Sequence, residues 1–177
     1  AEKQITSDLI VWNLTVKGSS FSKTEAYNEF NNSIKQVKQF FINNNIPDSC
    51  LEMSSVSINK QTRSEYSSKE ERYIEIDEGY AVTQNITISS HDLPIVEKAY
   101  QKISSLYERG VDFNSNDLLY YYTKLNDLKM ELLNNASSDA YKRAETIAKG
   151  CNASVGSLQT SSMGVFQIVG LNSSEDY

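Results

Sequence analysis

Residues 125–151 read LNDLKMELLNNASSDAYKRAETIAKGC, and this stretch decides what kind of fold the rest must build. Leu128, Leu132, Ala136, Ala140, Ala144 and Ala148 recur every four residues, with Leu125, Leu133 and Ile147 widening the apolar side. That spacing predicts one long helix over Leu125–Cys151. A row of this kind is inclined to the helix axis, so its leucine end and its alanine end are expected to face different parts of a core. On the other face Asp139 and Glu145 stand four residues before Arg143 and Lys149, an order that gives a solvated helix slight support.

On either side of this helix the period changes to that of strands. Val111–Thr123 reads as a loop followed by a short strand around Leu118–Tyr122, and after the helix Val155–Leu158 and Val165–Val169 read as short strands parted by Gly164. Upstream, Asp92 is the expected N-cap of a second helix whose stripe is Val96, Ala99, Tyr100, Ile103 and Leu106 and whose stop is Gly110. Before it, Ile74, Ile76, Tyr80, Val82, Ile86 and Ile88 all occupy even positions from Tyr73 to Ser89. A strand that long would span roughly 50 Å at ~3.3 Å per residue, so Gly79 is expected to bend or divide it. A further strand covers Leu51–Lys60, with a bulge expected where Met53 and Val56 fall out of phase. Between these two, Gln61–Arg72 is polar except for Tyr66, which reads as a solvated hairpin arm or as disorder.

At the start of the chain Ile10, Trp12, Leu14 and Val16 alternate with polar residues over Asp8–Lys17, the pattern of a half-buried strand. Ser22 and Glu25 form a capping-box pattern, and the helix that follows buries Ala26, Tyr27, Phe30, Ile34, Val37 and Phe41. Asn43-Asn44-Asn45 and then Pro47 end it. The first six elements run strand, helix, strand, strand, helix, strand, which is the ferredoxin-like split order. The expected fold class is therefore α+β: an antiparallel or mixed sheet with helices packed on one face, built from strand–helix–strand–strand units, and one long C-terminal helix. Residues 1–177 read as a single domain in which this pattern occurs twice, at 8–89 and 111–169.

Composition narrows the function classes. The chain of 177 residues carries 23 acidic and 17 basic residues with no Lys/Arg cluster, so it lacks the electrostatic footprint of a nucleic-acid binder. No apolar run reaches the ~18 residues needed to cross a bilayer, and Ala1 begins without a Met or a signal-peptide pattern, as it would after removal of a targeting segment. Cys50 and Cys151 have no second ligand at metal spacing; they are either two thiols or a disulfide between two helix ends. Asn13-Leu14-Thr15 and Asn85-Ile86-Thr87 match the glycosylation triplet, yet both fall inside strands and carry little weight in a chain this rich in Asn and Ser.

No catalytic, cofactor or metal constellation is read from the residues. His91 beside Asp92 has the makings of an oriented base but sits at a helix start, where capping is the commoner role. Glu70, Glu71, Glu75, Asp77 and Glu78 lack the calcium-loop pattern and read as a solvated strand with Arg72 interspersed. The candidate interaction surface is aromatic. Alternation puts Tyr120 and Tyr122 on one face and Tyr121 on the other; core packing with the hydroxyl at the rim is the ordinary role, and an exposed ring would suit an interface or sugar stacking. Tyr66 joins them, because the polar arm or its adjoining strand is expected to make subunit contacts.

Four stretches together resemble the SIMPL family, also called domain of unknown function 541. They are Ala1-Glu2-Lys3 leading to Ser7-Asp8-Leu9-Ile10-Val11-Trp12; Gly79-Tyr80-Ala81-Val82 leading to Ile86-Thr87-Ile88 and Asp92-Leu93; Tyr122-Thr123-Lys124-Leu125-Asn126-Asp127-Leu128-Lys129; and Ala136, Ala140, Arg143-Ala144-Glu145, Ala148 followed by Met163-Gly164-Val165-Phe166-Gln167-Ile168. The resemblance implies an α/β fold of the strand–helix–strand–strand kind, and an extracytoplasmic place in the periplasm or cell envelope, with the membrane reached only through a segment outside this chain. It also implies no established enzymatic activity, assembly into rings in some members, and defence against oxidative and other envelope stress. The family pattern adds a Val-rich strand ending in Gly before Ala1 and a further strand after Tyr177. The expected protein is a non-enzymatic homo-oligomer, with a possible envelope protein partner and no cofactor. The alternative is a small-molecule or glycan-binding module with a tyrosine-lined surface, and an unrecognised hydrolase ranks last for want of a nucleophile–base pair.

Overall fold

A computed structural model describes residues 2–169. It divides into two compact units, one formed by Thr6–Thr123 and the other by the residues from Lys124 onward with those up to Ile5.

The larger unit holds strands β1 (Leu9–Ser20), β2 (Leu51–Met53), β3 (Ser57–Ser67), β4 (Arg72–Ser90), β5 (Asp112–Ser115) and β6 (Leu119–Tyr121), with helices α1 (Lys23–Asn43) and α2 (Leu93–Lys102). They make one six-stranded sheet in which every pairing is antiparallel. β4 lies between β1 and β2, and β1 lies between β4 and β5, so each helix crosses over one intervening strand. This is the split topology expected from the element order.

Each outer edge of the sheet is built from two pieces. β2 and β3 both pair with β4, and the strand expected as one piece over Leu51–Lys60 is interrupted at 54–56. There the Asn85 amide donates to the Ser54 hydroxyl at 3.0 Å and the Ser54 amide to the Asn85 carbonyl at 2.9 Å, so the ladder is bridged although the phase is lost. β5 and β6 both pair with β1 and are parted at 116–118, where the Asn116 amide donates to the Asn13 carbonyl at 3.0 Å. β5 lies in the part of Val111–Thr123 expected to be loop, because Asp112-Phe113-Asn114-Ser115 has only one apolar residue with which to announce itself.

One face of the sheet carries the core. Ile10, Trp12, Leu14 and Val16 of β1 and Val82, Ile86 and Ile88 of β4 are buried, together with Ala26, Phe30, Val37, Phe40 and Phe41 of α1 and Val96 and Ala99 of α2. Trp12 meets Phe41 and Tyr100 edge-on at 5.8 and 5.4 Å, an arrangement that suits the ring quadrupoles, and its indole N–H donates to Ser115 Oγ at 2.9 Å. α1 lies so close to β1 that a Cβ on Gly18 would stand 2.5 Å from Phe30 N. Tyr27, expected inside, is exposed, and Phe40 is buried in its stead. Ser22 caps α1 by accepting from the Glu25 amide at 3.5 Å, but the Glu25 carboxylate takes the Ser20 hydroxyl at 2.9 Å instead of closing the capping box. Asp92 caps α2 through the Ile95 amide at 3.4 Å, and the stripe continues as a 3-10 turn over Ile103–Arg109 to Gly110, whose φ is 74°.

In the smaller unit α3 (Leu125–Gly150) ends within one residue of the sequence expectation. Its alanines are a correction: Ala136, Ala140 and Ala144 are exposed, and Leu128 is its buried residue. The strands expected at Val155–Leu158 and Val165–Val169 are not formed, so the second occurrence of the pattern, 111–169, stops at the helix among the described residues. A strand needs a neighbour to take its amides and carbonyls, and this unit contributes none; Leu158 and Val165 are exposed accordingly.

Candidate functional site

The polar stretch Gln61–Arg72 is ordered as a hairpin arm. β3 and β4 stay paired from Ser57↔Thr83 to Ser67↔Arg72, well past Tyr80, where β4 leaves β1. At the departure point Gly79 has φ 87°, and a Cβ there would stand 2.5 Å from Ser20 O. The register shifts between Gln61 and Thr62, a bulge that increases twist and turns the arm away from the sheet. Gly79 therefore bends β4 as expected without dividing it.

Four ion pairs run along the arm. Lys60 pairs with Asp77 at 2.9 Å, Arg63 with Glu65 at 2.8 Å and Glu78 at 2.9 Å, and Arg72 with Glu70 at 2.6 Å. The hydrogen bond from Lys60, then that from the Gly79 amide, holds the Asp77 carboxyl below its ordinary value, and the same Asp77 contact raises Lys60. Of the acidic run considered for a cation, Glu70, Asp77 and Glu78 are thus engaged with Lys and Arg, and the run is spread over the turn at the tip and β4. Near the tip Tyr66 and Tyr73 face each other in register, edge-on at 5.4 Å, and both are more than half exposed. Beyond this pairing the outer edge of β3, and the edge of β4 over 72–78, find no strand among the described residues.

The other tyrosines lie at the opposite sheet edge. Tyr120 stands beside Ile10 on the helix side, and its hydroxyl donates to Glu97 Oε1 at 2.8 Å, a bond that raises its pKa. Tyr121 stands beside Leu9 on the side away from α1 and α2, and Tyr122 is half-buried just past β6. The alternation holds, but Tyr120 and Tyr121 sit about half exposed at an edge instead of inside. Tyr66 is in the arm, so the four tyrosines do not form one surface.

A corner of this unit ties two of the family-like stretches to each other and to His91, just before α2. Asp8 accepts from the Thr123 amide at 2.7 Å and the Thr123 hydroxyl at 2.8 Å, and the Asp8 carbonyl takes the His91 Nδ1–H. Partial withdrawal from water pulls the Asp8 carboxyl up, but the two Thr123 bonds outweigh it and hold the carboxyl below its ordinary value. His91 is spent on a backbone tie, next to the Asp92 cap. Cys50 is half-buried and Cys151 exposed, and both are free thiols. No cluster of three His, Cys, Asp or Glu side chains able to hold a metal occurs among the described residues.

A split α+β sheet with a projecting two-stranded arm and a long separate helix defines the class of protein. The chain belongs to the SIMPL family, proteins of unknown function (DUF541), whose profile matches residues 1–175. No curated protein matches it. Among solved structures it is similar to the Bacillus subtilis GlnK–ATP complex, at 8% identity and a TM-score of 0.39 over 63% of this chain and 84% of that one. It is also similar to an unknown protein from Galdieria sulphuraria, at 13% identity and a TM-score of 0.32 over 68% of this chain and 54% of that one. A third is the de novo designed protein Foldit4, at 13% identity and a TM-score of 0.23 over 63% and 96% of the two chains.

Proposed function

We infer that this chain is a non-enzymatic envelope protein that works outside the cytoplasm by assembling with copies of itself, in defence against oxidative and other envelope stress. The carrying observation is the arm: the outer edge of β3, eleven residues over Ser57–Ser67, has no neighbouring strand among the described residues, and from Gln61 onward it runs past the end of β1's pairing. An exposed edge of that length is a template for strand addition and a liability on a monomer. Matched ion pairs along the arm keep it soluble while leaving its backbone free to pair. The extracytoplasmic placement and the role without catalysis are what the sequence resemblance to the family implies.

Light scattering across a dilution series, on the intact chain and on one with residues 61–72 replaced by a two-residue turn, tests this reading. A defined oligomer that dissociates on loss of the arm is the expected result. A monomer at every concentration, or an oligomer indifferent to the arm, would overturn it.

A further inference from the structure

The face of the sheet turned away from α1 and α2 holds an arrangement that neither the core nor the arm explains. The triplets Asn13-Leu14-Thr15 and Asn85-Ile86-Thr87 lie opposite each other in antiparallel register, Asn13 beside Thr87 and Thr15 beside Asn85. Leu14 and Ile86 point into the core, so the outer positions form a two-by-two tile of amides and hydroxyls. Thr87 Oγ1 donates to Asn13 Oδ1 at 2.9 Å and Thr15 Oγ1 donates to Asn85 Oδ1 at 2.8 Å. Each bond uses the amide oxygen and leaves the NH2 group of Asn13 and of Asn85 without an acceptor among the described residues. The next strands extend both rows: Asn114 of β5 stands beside Thr15, and Glu52 of β2 beside Thr87.

Asn is among the residues least suited to strands, yet three occupy neighbouring positions on the three adjacent strands β4, β1 and β5. Departures from local preference gather at functional sites, where binding and not folding chooses the residue. The chemistry of the grid selects its ligand. Its two rows contain amide donors, hydroxyls and one carboxylate acceptor and no Lys or Arg; Lys17 stands in the next row, beside Asp112 in register. Such a set suits a ligand whose own groups both donate and accept without charge; it does not suit a polyanion or an apolar molecule. Along β1 the same face becomes apolar at Val11 and Leu9, where Leu119 and Tyr121 are exposed beside them. Tyr121 thus offers a ring on which the C–H face of a sugar stacks, ~13 Å from the tile at ~3.3 Å per residue.

We propose that this face binds a neutral glycan chain, with Asn13, Asn85 and Asn114 donating to its hydroxyl and ring oxygens, Glu52 accepting from its hydroxyls and Tyr121 carrying a further sugar unit. The ~13 Å span requires several units, so tetrasaccharides should bind and monosaccharides should not. The site is independent of the arm, and the chain lacking residues 61–72 should bind equally well.

The test is calorimetry with chitotetraose and cellotetraose, and with dextran sulfate as the charged comparison, paired with amide chemical-shift mapping. A dissociation constant of about 1 mM or tighter for a neutral tetrasaccharide, with shifts at the tile, is expected. The Asn13→Thr/Asn85→Thr variant should weaken binding by about tenfold or more while its melting temperature holds or rises, because Thr pairs across strands and suits them better. A tile kept only to hold strands together would give the opposite pair of results, a lower melting temperature and no binding to lose. No shift at the tile with either tetrasaccharide, binding undiminished in the double variant, or binding of dextran sulfate alone would overturn the proposal.

Discussion

Gly18→Ala reverses the usual sign of a glycine substitution. Replacing Gly by Ala where the backbone allows it ordinarily stabilises a protein by about 0.4–1 kcal/mol, through the unfolded chain. At Gly18 the new Cβ would meet Phe30 N at 2.5 Å, Ala26 O at 2.7 Å and Phe30 Cα at 2.8 Å, all backbone atoms of α1 that no rotamer change can move aside. Restoring ordinary contact requires α1 to lift by about 0.9 Å, and a gap of that size forfeits a quarter to a half of the dispersion between the facing side chains. Overpacking of this kind costs about 1–3 kcal/mol, which exceeds the entropic gain and lowers the melting temperature by roughly 5–10 °C for a unit of this size. Trp12, the only tryptophan, lies against Phe41 of α1, so its emission during urea unfolding reports on the unit concerned. Gly150→Ala in α3, where nothing stands within 4 Å, should be neutral or stabilising when unfolding is followed by helical circular dichroism. A Gly18→Ala midpoint equal to or above wild type, with unchanged slope, would refute the close approach of α1 and β1 and the packing argument built on it.

Ser115→Ala strands the buried Trp12 N–H and should cost about 1–3 kcal/mol in urea, with a shift of the native emission maximum; an unchanged midpoint and spectrum would mean the bond is absent. Asp8 titrates below its ordinary 3.8 when folded, so its contribution is fully present above 3.8 and is lost as pH falls through the lowered value. The stability difference between wild type and Asp8→Asn should accordingly be constant near neutrality and shrink on acidification past that point, whereas a pH-independent difference would count against the Thr123 clamp. Thiol titration of the native chain without reductant should find both cysteines, Cys151 faster than half-buried Cys50; recovery of neither would indicate the disulfide.

Periodicity carried the sequence furthest where one face is buried. The even positions of β1 and β4 and the four-residue row of α3 follow from burial or helix geometry alone, and their bounds came out nearly as expected. It failed where pairing partners decide. Val165–Val169 has strand composition, but composition cannot supply a neighbour, and Asp112–Ser115 has little strand composition yet pairs with Leu14–Lys17. The break at 54–56 shows in the sequence as a change of phase, the same sign a bulge gives, since phase does not say whether the chain stays in the ladder. The Asn-x-Thr triplets were in plain view, but only the β1–β4 register shows that they face each other, and register is a property of two strands together.

The arm has two dissimilar edges, that of β3 over its length and that of β4 over 72–78. Two edges of one kind give a self-complementary pair and stop at a dimer. Two edges of different kinds give each copy a valence of two, and joining one kind to the other propagates head to tail until the rotation per step either closes the chain or leaves it growing. The arm leaves the sheet at Gly79, next to the bulge at Glu78. On the proposed assembly reading, the direction the arm takes at Gly79 would enter that rotation, and with it the choice between a ring of fixed number and an open fibre.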